Sequence, residues 1–162
     1  MSYPDPRYFG EKGEISAVLR PADQKPELRI GSNVAVRYLA NGASTHGQFG
    51  LYRWDSAPRS PGPAAHFHRT MSESFFVLSG RVRLFNGDRW IEAKAGDFLF
   101  VPEGGVHGFQ NDSDEPSSML ILFAPGAPRE GYFEAIAAKA AGQTFTEEEW
   151  KDICVRHDNY FI

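Results

Sequence analysis

The sequence predicts an all-β fold, either a sandwich or a closed barrel, followed by two short C-terminal α-helices. Short apolar runs recur at close intervals between positions 34 and 124, and turn-forming residues separate them. Beyond position 129 the apolar residues change to a helical period. The 13 Phe, 6 Tyr and 3 Trp suit a β-rich core and an apolar cavity.

Nine strands are predicted from runs rich in apolar and β-branched residues that end at turn signals. They cover residues 14–20, 34–39, 47–54, 75–78, 81–85, 89–93, 98–101, 106–110 and 118–124. Asn86-Gly87 is the clearest hairpin turn, because it lies between two such runs. Residues 56–65 hold three prolines, so this segment is predicted to be the loop that leads into His66.

Two helices are predicted at the C-terminus. Residues 130–141 place apolar side chains along one helical face, and Gly142 follows as a stop signal. Thr146 and Glu149 form a capping box that starts the second helix, in which Cys154 is expected to pack. Arg129 and Glu130 are interpreted either as a charge pair over a cavity mouth or as residues at a helix start.

Length and composition predict one soluble domain. The 162 residues form an N-terminal arm (1–13), a barrel (14–128) and a helical segment packed on the barrel (129–162). The net charge of −4, without a basic run, argues against nucleic-acid binding. The single cysteine excludes an intramolecular disulfide and fits a reducing compartment. No apolar stretch reaches membrane-spanning length, so we expect a cytoplasmic protein without a membrane partner.

Four residues form a candidate metal site. His66 and His68 point to the same side of a strand because side chains alternate between faces. Glu73 opens an apolar run, where a buried carboxylate is costly unless it is paired or bound to a cation. His107 adds a third imidazole from another strand. Three imidazoles and one carboxylate suit one divalent transition metal: Fe, Mn, Ni, Co, Cu or Zn.

These two stretches resemble the two motifs of the cupin superfamily, which read His-x-His-x4-Glu-x6-Gly and Gly-x5-Pro-x-Gly-x2-His-x3-Asn. The matching positions are His66, His68, Glu73, Gly80, Gly96, Pro102, Gly104, His107 and Asn111. The glycine before the first motif, Gly62, lies closer to His66 than is usual, which affects a loop and not a ligand. The resemblance implies a double-stranded β-helix, the jelly-roll barrel of the cupins.

The four ligands leave one or two open positions on a five- or six-coordinate metal, whereas a tetrahedral structural zinc would be saturated. Ligands from different strands place the metal in a pocket for a small-molecule substrate. Three neighbours in phase with the ligands are predicted to line that pocket: Phe75, Val77 and Phe109. His46 begins a strand that approaches the barrel and is a further candidate substrate residue, although loop histidines are usually turn residues.

Within the cupins, the chain is similar to small single-domain proteins that resemble quercetin dioxygenases. Residues 72–80, 96–111 and 120–126 carry this similarity. It implies an oxidoreductase, a dioxygenase that cleaves a phenolic or enolic, flavonol-like substrate, with Glu73 as ligand and catalytic proton acceptor. Two alternatives remain open: a metal-dependent cyclase or isomerase acting on an aromatic polyketide-like substrate, and a non-catalytic small-molecule-binding cupin.

A homodimer is also predicted. Residues 98–101 and 119–123 are apolar on both strand faces, so one face lines the barrel and the other needs a cover. Two short helices cover one patch, and a second subunit is expected to cover the other.

Overall fold

The structure, a computed structural model, describes residues 2–162 and contains eleven strands and two helices. In chain order the elements are β1 (Leu28–Ile30), β2 (Val34–Ala40), β3 (Gly50–Ser56), β4 (His66–Phe67), β5 (Ser72–Ser79), β6 (Arg81–Phe85), β7 (Trp90–Lys94), β8 (Phe98–Val101), β9 (Gly108–Gln110), β10 (Ser117–Ala124), α1 (Glu130–Ala140), α2 (Glu147–Arg156) and β11 (Tyr160–Phe161). Within the described residues no helix is long and apolar enough to span a membrane.

Eight of the nine predicted strands are confirmed, and the first is wrong. Residues 14–20 form no strand, and Ile15 and Val18 are almost fully exposed. The first strand is β1, which pairs with β2 within a region predicted to be a loop. A strand needs a neighbour to satisfy its backbone, and β1 already occupies that edge of β2.

The larger sheet has six antiparallel strands in the order β1-β2-β3-β10-β5-β8. Its inner face alternates as the sequence predicts: Tyr52 on β3, Phe75 and Val77 on β5, and Ile121 and Phe123 on β10 are all fully buried. These side chains form the core together with residues of the smaller sheet, including Val82 and Leu84 on β6. The two sheets therefore enclose one hydrophobic core, which is the cupin double-stranded β-helix.

The smaller sheet is assembled from two pieces. Strands β7-β6-β9 form one piece, and β11-β4 form the other. An antiparallel bridge between His66 and His107 joins them, since His66 lies in β4 and His107 immediately precedes β9. The last strand of the chain thereby becomes part of the barrel, beside the first histidine motif.

Both C-terminal helices are confirmed. The capping box is complete, because the Thr146 hydroxyl accepts from the Glu149 amide and the Glu149 carboxylate accepts from the Thr146 amide. Helix α1 packs on the barrel through Phe133, whose ring lies edge-on to Tyr52 at a centroid distance of 5.1 Å. Cys154 is buried, as expected of a packing residue.

Candidate metal centre

The structure brings the four predicted ligands together inside the barrel. The exposed fractions are 5% for His66, 1% for His68, 4% for Glu73 and 1% for His107. One ligand atom from each residue lies within 4.8 Å of the ligand atoms of the other three. The donors come from β4 and the residue after it, from β5 and from the segment before β9, so the folded barrel is needed to assemble them.

Two ligands form a directly opposed backbone pair. The amide of His66 donates to the carbonyl of His107 at 3.0 Å, and the amide of His107 donates to the carbonyl of His66 at 2.9 Å. Their ring centroids are 4.3 Å apart. The bridge that closes the smaller sheet therefore also fixes the distance between two imidazoles.

Each imidazole is oriented by a backbone carbonyl. The Nδ1 atoms lie 2.8 Å from the Ala64 oxygen for His66, 2.6 Å from the Asp158 oxygen for His68 and 2.9 Å from the Gly105 oxygen for His107. A carbonyl only accepts, so Nδ1 carries the proton and the neutral ring presents its lone pair at Nε2. This arrangement is the one by which proteins orient histidine ligands toward a metal.

The donor set fits one divalent metal. The Glu73 Oε2 atom lies 2.9 Å from Nε2 of His68 and 2.8 Å from Nε2 of His107. Lone pairs that face a carboxylate oxygen at this range repel one another unless a proton or a cation lies between them. Two ligands that are each bonded to one metal at right angles lie about 3 Å apart. The spacing therefore fits a shared cation, and in the metal-free protein it fits protons on the two Nε2 atoms.

The charge states agree with this assignment. Burial lowers the pKa of His66 to about 4, which keeps the ring neutral. Burial alone would raise the pKa of Glu73, but the His107 and His68 rings, which bond to its carboxylate when Nε2 is protonated, outweigh burial and lower the pKa. Burial lowers the pKa of His107, but the Glu73 carboxylate outweighs this and raises that pKa. Glu73 is therefore an anion among imidazoles.

The C-terminal segment supports the site, and sequence reasoning missed this support. The Asp158 carboxylate accepts from the amides of Arg69 and Thr70 and from the Thr70 hydroxyl, with distances of 2.8 to 3.0 Å. It thus fixes the turn between His68 and Glu73. The only sequence signal was a short polar stretch after α2, and β11 is too short to be recognised by alternation.

An apolar cavity of about 310 Å³ adjoins the ligands. His66 and Glu73 lie in its wall, and Phe109 lines it as predicted. Its other walls are mainly aromatic and aliphatic: Ile30, Val34, Trp54, Pro61, Pro63, Ala64, Ile121, Phe123, Tyr132, Phe133, Ile136, Trp150 and Phe161. The C-terminal helices and β11 thus close a pocket that the barrel strands begin.

Three predicted pocket residues lie elsewhere. Phe75 and Val77 are fully buried in the core and do not line this cavity, although the Phe75 ring packs 5.9 Å from that of His107. His46 is exposed in the loop between β2 and β3. Alternation predicted the inward direction correctly, but it does not distinguish a cavity wall from solid core.

Arg129 and Glu130 lie at the start of α1, as one of the two sequence interpretations states, and Arg129 also lines the cavity. It occupies the N-cap position of α1 without a side-chain capping bond, and only 3% of it is exposed. Its neighbour Glu130 accepts a hydrogen bond from the Tyr52 hydroxyl at 2.5 Å. Among the described residues no ion pair joins Arg129 to Glu130, so the alternative interpretation as a charge pair over the cavity mouth is wrong.

Gly62 is required by a close backbone approach. A Cβ atom at this position would lie 1.5 Å from the carbonyl oxygen of Phe109, on the strand that follows His107. The displaced glycine of the first motif therefore lets the proline-rich loop lie against β9 at the cavity wall.

Comparison with known proteins finds a family model that matches part of the chain. Residues 52–123 match the family model described as a cupin domain. The chain is 28% identical over 109 residues to quercetin 2,3-dioxygenase of Bacillus subtilis. This matched stretch covers 67% of this chain and 32% of that protein. It therefore spans about one third of the length of this curated relative.

Solved structures share the fold. A predicted oxalate decarboxylase of Thermotoga maritima superposes with a TM-score of 0.60 at 22% identity, covering 67% of this chain and 99% of that one. The polyketide cyclase RemF of Streptomyces resistomycificus superposes with a TM-score of 0.52 at 22% identity, covering 74% and 82%. At these identities the likeness concerns the fold alone.

Proposed function

We propose that this chain, which carries both cupin motifs and a buried donor set suited to one divalent metal, is a dioxygenase. Its proposed substrate is a phenolic or enolic, flavonol-like compound. The observation that carries the proposal is the shared cavity: His66 and Glu73 line the same apolar pocket as the aromatic residues of β3, β9 and α1. The similarity to quercetin 2,3-dioxygenase supports the reaction class.

The pocket suits a flat, apolar substrate. Trp54, Phe109 and Phe133 line the cavity, and the Trp54 ring packs edge-to-face with the rings of the other two. The volume of about 310 Å³ is at the lower end of the range for ligand sites, so a compact ring system fits better than an extended one.

The ligands, Glu73 and the cavity walls have separate roles in the proposed reaction. His66, His68, Glu73 and His107 would hold the metal, which supplies a Lewis acid that lowers the pKa of a substrate hydroxyl group. Glu73 is ionised and accepts the proton of that hydroxyl. The apolar walls exclude water from the reacting ring.

The experiment begins with metal analysis of protein purified without an affinity tag. Oxygen uptake is then measured against a panel of flavonols and catechols, with chelator-treated protein as the control. We expect uptake with at least one phenol that stops on chelation and returns when the metal is restored. Metal-loaded protein that consumes no oxygen with any member of the panel would contradict the proposal.

Two other functions use the same site. A cyclase or isomerase needs the Lewis acid and Glu73 but no oxygen, so substrate conversion under nitrogen would select it. A non-catalytic binding protein needs only the enclosed cavity, so tight ligand binding without turnover would select that function. The fold likeness to a polyketide cyclase does not decide between these functions.

We also propose a homodimer that covers the outer face of β5 and β8. Four apolar side chains are exposed there: Phe98 by 62%, Phe100 by 56%, Phe76 by 39% and Leu78 by 37%. Strand β8 is the last strand of the larger sheet, so this apolar patch lies at an open sheet edge. A second copy of the chain would cover both the patch and the edge.

A further inference from the structure

Arg129 is a buried cation in the wall of the metal-site cavity. It lies just before α1, only 3% of its surface is exposed, and it shares the cavity with His66 and Glu73. A guanidinium group in this position is unusual, because arginine is almost never fully buried without a charged partner.

The protein gives this cation only neutral partners. Its Nη1 group donates to the His157 carbonyl, and Nη2 donates to Asn159 Oδ1 at 3.2 Å. Among the described residues no carboxylate oxygen lies within 4.0 Å of it. Two of its five N–H groups therefore have protein acceptors, and none of these acceptors carries a charge.

Two buried donors beside each other have no acceptor. Arg129 Nε and Asn159 Nδ2 are both buried without a hydrogen-bond partner, and the two side chains are joined by the Nη2–Oδ1 bond. Buried polar groups are rarely left in this state in folded proteins. The guanidinium is stabilised on its faces instead, 4.9 Å from the ring centroids of Phe123 and Tyr132 and 5.7 Å from that of Phe133.

The charge of the whole site is also unbalanced. A divalent metal with three neutral imidazoles and one carboxylate retains a net charge of about +1, to which Arg129 adds another. Burying this charge is costly unless an anion shares the cavity. A substrate with one coordinating hydroxyl and one carboxylate would balance it.

We propose that Arg129 recognises a carboxylate on the substrate, which is therefore a hydroxylated aromatic or enolic carboxylic acid. The inference rests on the proposed function only for the position of the substrate hydroxyl at the metal. Arg129 accordingly sets substrate choice: it favours an acid over its neutral isostere, while the aromatic walls bind the ring.

The test compares salicylate with its neutral isostere salicylamide by isothermal titration under nitrogen. Both ligands are titrated into zinc-loaded protein and into chelator-treated protein. We expect salicylate to bind at least tenfold more tightly in both forms, because the preference comes from Arg129. A missing preference, or one that disappears with the metal, would overturn the proposal.

Variants assign the preference to one side chain. In Arg129→Gln the preference for salicylate over salicylamide should fall below threefold, while the affinity for salicylamide changes less than twofold. The control variant Arg83→Gln, which alters an arginine on β6, should keep the full preference. If Arg129→Gln does not fold, Arg129→Lys keeps the charge but loses the planar donor array, and a preference reduced threefold or more is expected. An unchanged preference in either folded variant would refute the role of Arg129. Because no turnover is measured, absent dioxygenase activity leaves this result intact.

Discussion

The Nδ1 atom of His68 donates a hydrogen bond of 2.6 Å to the backbone carbonyl of Asp158, which lies 90 residues later in the chain. The same residue uses its carboxylate to hold the amides of Arg69 and Thr70. Asp158 thus fixes both the tautomer of one ligand and the turn that leads to the next ligand, Glu73.

Asp158→Asn should weaken metal binding while leaving the fold intact. Asp158 has a positive φ of 57°, which asparagine tolerates, but the amide offers one acceptor oxygen where the carboxylate offers two. Because losses of supporting contacts typically cost about 10–100-fold in metal affinity, we expect a dissociation constant raised about tenfold. Competition with a chromophoric chelator measures it. Asp152→Asn, on the exposed side of α2, is the matched control and should bind as the parent does.

His68→Ala should lose most of its metal and keep its barrel. The core is formed by the two sheets and does not depend on one imidazole. Elemental analysis measures the metal content, and circular dichroism measures whether the barrel is folded. His46→Ala is the control because His46 is an exposed loop residue. Unfolding of the His68 variant would show that the metal is structural.

Glu73→Gln should reduce turnover more than metal content. The amide oxygen can still bind a metal, but the amide cannot accept the substrate proton. We expect a fall in kcat of about 100-fold or more, within the range for lost general base catalysis. The control is Glu103→Gln, an exposed glutamate in the second motif. Equal turnover in the parent and the Glu73 variant would remove this residue from the mechanism.

Phe98→Glu should convert the proposed dimer to a monomer. A carboxylate in the centre of the apolar patch cannot be buried without a partner. Light scattering over a dilution series measures the mass, and Val155→Glu places the same charge on α2, where 46% of the valine is exposed. A parent protein that is monomeric at every concentration would end the dimer proposal.

The stability contributed by Glu27 should depend on pH. Burial, the largest single effect, raises its pKa, but the hydrogen bonds from the Tyr38 amide and the Arg20 side chain together outweigh it and lower the pKa. The unfolded chain therefore binds the proton more tightly, so the contribution is present above the unfolded pKa of about 4.3 and is lost as pH falls through the folded pKa. Urea unfolding of Glu27→Gln should show a loss of about 0.5 kcal/mol at pH 7 that disappears in acid.

The sequence predicted most of the barrel because its signals are local. Alternation with a period of two, the Asn86-Gly87 turn and the Thr146–Glu149 capping box each depend on neighbours in the chain. The strand predicted at residues 14–20 is wrong because alternation cannot report whether a partner strand exists. Strand β11 was missed because two residues carry no period.

The sequence by itself determined the four candidate metal ligands, since the spacing of His66, His68, Glu73 and His107 reflects strand geometry and a short turn. Only the tertiary structure decided what surrounds them. It placed Phe75 and Val77 in the core and not in the cavity wall, brought Asp158 to His68, and buried Arg129 beside the site. These relationships join residues that are distant in the chain, and they arise when the C-terminal helices and β11 fold back over the barrel to bury their apolar faces.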